Sequence, residues 1–199
     1  MRTVKNDRRV KYTQTIIKET FLSLLEKKEL SKITVMEICT LADINRATFY
    51  THYLDTHHLY HSIEEAFYDE ITKLLNALQN GPNDPNAISN VEKILNYLKD
   101  NKELTRLLLS DRGDLSFQKR VMKLIHHSIT NPMINFPNLS KDEAEYIYAH
   151  AISGSLGLVQ KWLDDNMTQD QYFIANMIIQ LNLALVEGMK RQKNISLSA

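Results

Sequence analysis

Cysteine occurs once, proline four times and glycine five times in 199 residues. A lone Cys39 excludes an internal disulfide framework and suits a reducing compartment; on the inner face of a short helix it reads as a core residue. Long stretches without either helix breaker, with apolar residues recurring at three and four, point to an all-α protein, and no strand pattern emerges. No apolar run looks long enough to span a bilayer, and the basic N-terminus is followed by no signal-peptide core, so a cytoplasmic protein with no membrane partner is expected. There is no nucleophile elbow, phosphate loop, zinc-binding cysteine set or paired-carboxylate constellation. The expectation is a non-enzyme with no catalytic residues, no cofactor and no metal.

Net charge is also absent, with 24 basic and 24 acidic side chains. The balance hides an asymmetry, +3 over residues 1–60 and −3 over the rest. Within the first twelve residues Arg2, Lys5, Arg8, Arg9 and Lys11 face only Asp7. Such a segment is either a solvated tail or a basic arm beside a nucleic-acid reader.

The most informative stretch runs from Ile33 to Leu59. Thr34 followed by Glu37 is a capping-box pattern, and Ile33 with Ile38 supplies the matching hydrophobic staple. A helix therefore starts near Val35, and Asp43 and Asn45, which favour turns and caps, end it near Ala42. Asn45 caps a second helix through Tyr53, whose Ile44, Phe49 and Tyr53 pack on the first. Its other face carries Arg46, Ala47, Thr48, Tyr50, Thr51 and His52, with no acidic residue and many donors for phosphate oxygens and base edges.

The run ADINRATFYTHYLDTHHLY resembles the helix-turn-helix of tetracycline-repressor-type (TetR family) transcriptional regulators, most specifically at Thr48-Phe49-Tyr50-x-His52-Tyr53. Asp43 stands where that family usually has glycine in the turn, and Thr56 where it usually has a phosphate-gripping lysine. The resemblance implies a helix-turn-helix DNA-binding domain over 1–57 and a larger helical effector-binding and dimerisation domain over 58–199, about nine helices in all. It implies a dimeric regulator of a palindromic operator in double-stranded DNA, a repressor relieved by an unidentified small-molecule effector. The DNA-binding set would be Thr34, Asn45, Arg46, Ala47, Thr48, Tyr50, Thr51, His52 and Thr56. Of these Thr34, Tyr50, His52 and Thr56 would hold phosphates, and Arg46, Ala47, Thr48 and Thr51 would face bases. A helical protein-interaction module that does not bind DNA specifically is the alternative, favoured by the missing lysine at position 56 and the zero net charge.

Around that stretch, helices are expected at 8–28, completing a three-helix unit, and at 55–79. The cluster from Asn80 to Asn86 is the clearest break. Helices follow near 87–100, 101–110 and 114–130, with Asp114 and Ser116 as caps and Asn131-Pro132 as a stop. A second capping box at Ser140 and Glu143 opens a helix to about Asn166. The last helix covers about 169–190, before a disordered end. The helix near 141–165 is rich in small residues, and that near 169–190 is apolar on more than one face. Either both are buried in one chain or they pair a homodimer; family members commonly build a four-helix bundle from these helices. His57 and His61 have metal-compatible spacing without a supporting carboxylate or thiolate, and read as surface histidines. His126, His127, His150, Tyr97, Phe117, Tyr146 and Trp162 either line a cavity or simply pack, so the ligand-binding residues are left unknown.

Overall fold

In a computed structural model of the chain the described backbone covers residues 2–78, 84–109, 115–133 and 140–196, with the side chains of 2–7, 128–133, 141 and 190–196 left aside. Much of the turn cluster at Asn80–Asn86, the cap at Asp114, most of the loop before Ser140, the final residues and the first basic side chains lie outside the described set. The described residues form nine α-helices and a 3-10 turn, and no strand occurs among them. They divide into two compact units, Met1–Asp69 and Glu70–Ala199. The boundary expected at 57/58 falls within the first unit.

In the first unit α1 (Arg2–Leu25) leads through the 3-10 turn Leu30–Lys32 to α2 (Val35–Leu41), α3 (Arg46–Tyr50) and α4 (Thr56–Asn76), whose later turns belong to the second unit. α1 starts earlier than the expected residue 8, so the backbone of the basic N-terminal segment is helical from Arg2. Ile17, Phe21 and Leu24 of α1, Ile33, Ile38, Cys39, Phe49, Leu59, Ile63 and Phe67 are buried, on the inner faces of the four helices and the segment before α2. α1 packs on α2 and α2 on α3. The Lys28 ammonium donates to the Glu37 carboxylate, tying the end of α1 to the start of α2.

The second unit holds the end of α4 and α5 (Ala87–Asp100), α6 (Lys102–Leu109), α7 (Leu115–Met133), α8 (Lys141–Asp164) and α9 (Gln171–Ser196). α5 packs chiefly on α9, which also meets α8; α7 meets α6 and α8. Buried polar groups are satisfied locally: Asn90 Nδ2 donates to the Ala77 carbonyl at 3.0 Å and Thr105 Oγ1 to the Leu98 carbonyl at 2.8 Å. The Ser140–Glu143 capping box forms as expected. α7 ends at Met133, one residue past Pro132. α8 closes with Asn166 and Met167 both at positive φ, the Met167 amide donating to the Trp162 carbonyl at 2.8 Å and the Asn166 amide to that of Leu163 at 3.1 Å. That is a Schellman ending, and it closes α8 at Asp164, two residues before the expected Asn166. Asp170 caps α9 instead, its Oδ1 accepting the Phe173 amide at 2.7 Å.

One expectation is corrected here. Gln171–Met189 of α9 is long and apolar enough, by length and composition, to cross a membrane, with a mean hydropathy of 1.3. Its apolar residues are spread over several faces of the helix, so no single stripe carries the summed hydropathy. Only 28% of this window is buried in the chain.

Candidate functional site

Three local devices hold α3. At its entry α2 ends on Ala42, Asp43 turns through the left-handed region at φ 51°, and the Ile44 amide donates to the Cys39 carbonyl at 3.0 Å. Aspartate tolerates this region better than most non-glycine residues, so the turn survives without glycine. Asn45 then caps α3, its Oδ1 accepting from the Thr48 amide at 2.7 Å and the Thr48 hydroxyl at 2.9 Å. Finally Phe49 is fully buried, with the Tyr50 ring edge-on at 5.7 Å and Tyr53 tilted at 5.7 Å.

α3 is shorter than the expected span to Tyr53. Thr51 Oγ1 donates to the carbonyls of Ala47 and Thr48, both at 2.9 Å, and the chain leaves the helix through a turn at His52. A threonine hydroxyl bonded back onto the last turn competes with helical continuation.

Arg46, Ala47, Tyr50 and Thr51 stand exposed on this short helix, with Thr48 and His52 half-buried beside them. Arg46 Nη2 lies 3.5 Å from the Tyr50 hydroxyl, a donor pair on one face. Thr34 is exposed at the start of α2 but committed to its capping box, accepting the Glu37 amide at 3.3 Å and donating to Glu37 Oε2 at 3.0 Å. Those bonds and the Lys28 ammonium hold the Glu37 carboxyl below the ordinary carboxylate range, the lysine contributing most.

The start of α4 differs most from the sequence reading. Thr56 is 8% exposed, and the residue before it, Asp55, caps the helix by accepting the His58 amide at 2.7 Å. His58 Nδ1 accepts the Leu54 amide at 3.1 Å, closing a reciprocal box. The sequence reading missed this because the usual signature has glutamate or glutamine at the third helical position, not histidine. A carboxylate therefore sits at the helix end from which phosphate binding was expected.

The second unit contains a cavity of about 160 Å³ lined by the end of α4 and by residues of α5 to α9. Ile71, Leu95, Val121, Ile152 and Ile178 typify its walls, and no lining residue is charged. Its polar wall consists of Tyr148, Ser155 and Asn182. Asn182 Nδ2 donates to Ser155 Oγ at 3.2 Å, joining α9 to α8. Tyr148 is buried, which pushes its hydroxyl above the usual tyrosine value.

None of the residues considered for a cavity lines it. His126, His127, His150 and Tyr146 are exposed, whereas Phe117 and Trp162 are core residues. Trp162 Nε1 donates to the Gln169 carbonyl at 2.9 Å and pins the α8–α9 turn. The available signal for Asn182 was one amide interrupting an otherwise apolar stripe. Among the described residues no cluster of three or more metal-capable side chains occurs, and His61 faces Glu64 at 3.5 Å.

Residues 85–183 match a family model described as a transcriptional regulator C-terminal region. No curated protein matches. Among solved structures, the chain is similar to a TetR transcriptional regulator from Streptococcus agalactiae 2603V, with 22% identity, a TM-score of 0.58, and coverage of 90% of this chain and 98% of that one. It is also similar to the dihydroxyacetone kinase operon activator DhaS, at 19% identity and TM-score 0.60 over 88% and 96% of the two chains. A third similar fold is the fatty acid degradation regulator FadR from Bacillus halodurans, at 13% identity and TM-score 0.56 over 86% and 94%.

Proposed function

Because the chain belongs to the TetR family of transcriptional regulators, and is thus a regulator and not an enzyme, we propose that it is a dimeric, cytoplasmic, sequence-specific DNA-binding protein, a repressor relieved by a small molecule. The observation that carries this reading is the outer face of α3. Arg46, Ala47, Tyr50 and Thr51 are exposed on a helix fixed by the buried Phe49 and the Asn45 cap, and none of them is acidic. In the major groove Arg46 is placed first for a guanine edge, with Ala47, Thr48 and Thr51 against neighbouring bases. Asn45 orients α3, while Thr34, Tyr50 and His52 contact phosphates. Thr56, nearly buried, contributes through its backbone amide.

Two features support the dimer. On α9 Phe173 is 47% exposed and Leu181 52% exposed, within a window that one chain buries only in small part. On α8 a Cβ added at Gly154 or Gly157 would meet nothing within 4 Å, leaving room for close approach by another helix. A two-fold pair of such chains presents two α3 helices to a palindromic operator. The switch runs through α4, a single helix that lines the cavity at Ile71 and Leu75 and begins at the Asp55 cap. A ligand that moves its cavity end changes the presentation of the reading heads.

Selection of bound sequences from random duplex DNA, repeated at two salt concentrations, tests this function. A palindromic product with a steep salt dependence is expected. No enrichment would instead favour the protein-interaction module.

A further inference from the structure

The chemistry of the cavity says what it takes. Of its polar wall, Asn182 and Ser155 satisfy each other through a single bond, Asn182 donating and Ser155 accepting. That bond uses one hydrogen of the amide and a lone pair of the hydroxyl. The Asn182 carbonyl oxygen remains an acceptor and the Ser155 hydroxyl proton remains a donor. The two residues stand 27 positions apart on α8 and α9, so the acceptor and donor meet at the wall only through the packing of those helices. Every other lining residue apart from Tyr148 is apolar, and none offers a counter-charge. An ion brought into such a space would lose its hydration without gaining a partner. A cavity of about 150 Å³ with apolar walls holds a benzene-sized molecule.

We propose that this cavity binds an uncharged, largely apolar molecule of roughly the bulk of one aromatic ring or a short alkyl chain, whose single hydroxyl- or amide-like group exchanges hydrogen bonds with the Asn182 carbonyl oxygen and the Ser155 hydroxyl. As a binding site it stands on the cavity alone; as the effector site it rests on the regulatory reading above. Asn182 and Ser155 are specificity residues in this scheme. They select a neutral polar head and leave the walls to supply affinity by burial.

The test uses the full chain without DNA and four probes of one size: benzyl alcohol, toluene, benzoate and benzylammonium, each titrated calorimetrically. Benzyl alcohol and toluene should bind, and both charged probes should bind at least about 100-fold more weakly. Asn182→Leu and, separately, Ser155→Ala should weaken benzyl alcohol about 3- to 10-fold more than toluene, the worth of a hydrogen bond. Two variants on two helices guard against misfolding of either one. Comparable binding of benzoate or benzylammonium, equal effects of both variants on alcohol and toluene, or no binding of either neutral probe would each overturn the proposal. Operator release is measured separately: neutral-probe binding without any operator affinity would sink the regulatory reading and leave the cavity assignment intact.

Discussion

The Asp55 carboxylate accepts the His58 amide at 2.7 Å, and the His58 ring in turn accepts the Leu54 amide at 3.1 Å. The amino end of α4 thus carries a negative charge before any phosphate approaches it. Asparagine caps a helix about as well as aspartate but without that charge. Asp55→Asn is therefore expected to keep stability and tighten operator binding about 2- to 5-fold, the size of one charge acting at a helix end. The check is operator affinity at low and high salt; unchanged affinity at both would place this end away from the backbone.

Arg46 is exposed at the first position of α3, within 3.5 Å of the Tyr50 hydroxyl. If it reads guanine, Arg46→Ala costs about 1–3 kcal/mol and relaxes preference at one base pair in each half-site. Repeating the sequence selection with the variant reads this directly. A uniform loss over all sequences would make Arg46 a phosphate contact.

Asp43 takes φ 51° in the turn between α2 and α3. Alanine lacks the short polar side chain that eases this conformation, so Asp43→Ala should destabilise the chain by roughly 1 kcal/mol. Asp43→Gly should remain within about 0.5 kcal/mol of the parent, relief of strain being offset by greater freedom when unfolded. Urea unfolding of the three chains tests the ranking, and equal stability of the alanine and glycine variants would contradict it.

The legible parts of this chain were those written in adjacent residues. Thr34 with Glu37, Ser140 with Glu143 and the Asn45 cap are contacts over three positions, and each forms as read. Asp55 escaped because His58 answers it with a ring nitrogen. α8 ends early because Asn166 and Met167 make a left-handed turn that no glycine announces, and α9 then starts from the Asp170 cap. The cavity was illegible for a different reason: Ser155 and Asn182 become partners only after α8 and α9 pack, and no spacing rule links positions so far apart.

Leu181 lies on α9, half exposed, one residue from the cavity-lining Asn182. One side of the helix thus serves the cavity and another is exposed. In the proposed dimer a charge placed there would be buried unpaired, so Leu181→Asp is expected to weaken association by on the order of 3 kcal/mol, about 100-fold or more. Sedimentation at micromolar concentration should then report a monomer. A parent chain that already sediments as a monomer, or a variant of unchanged mass, would remove α9 from the interface.

Tyr97 on α5 is half-buried, and burial together with the nearby Glu70 carboxylate pushes its hydroxyl up to about 12. In the unfolded chain the same group titrates near the ordinary tyrosine value of about 10. Between these values the unfolded chain has released the proton and the folded chain has kept it. The stability this tyrosine contributes is therefore complete below about pH 10 and is lost as the pH rises through about 12. Phenylalanine at this position has nothing to release. The unfolding free energies of the parent and Tyr97→Phe should differ by a constant amount up to about pH 9.5, then drift in favour of the variant by about 1 kcal/mol, after discounting for partial exposure. Urea titrations of both chains at several pH values across that window measure the drift. Curves that stay parallel throughout would show that Tyr97 keeps an ordinary value in the folded chain.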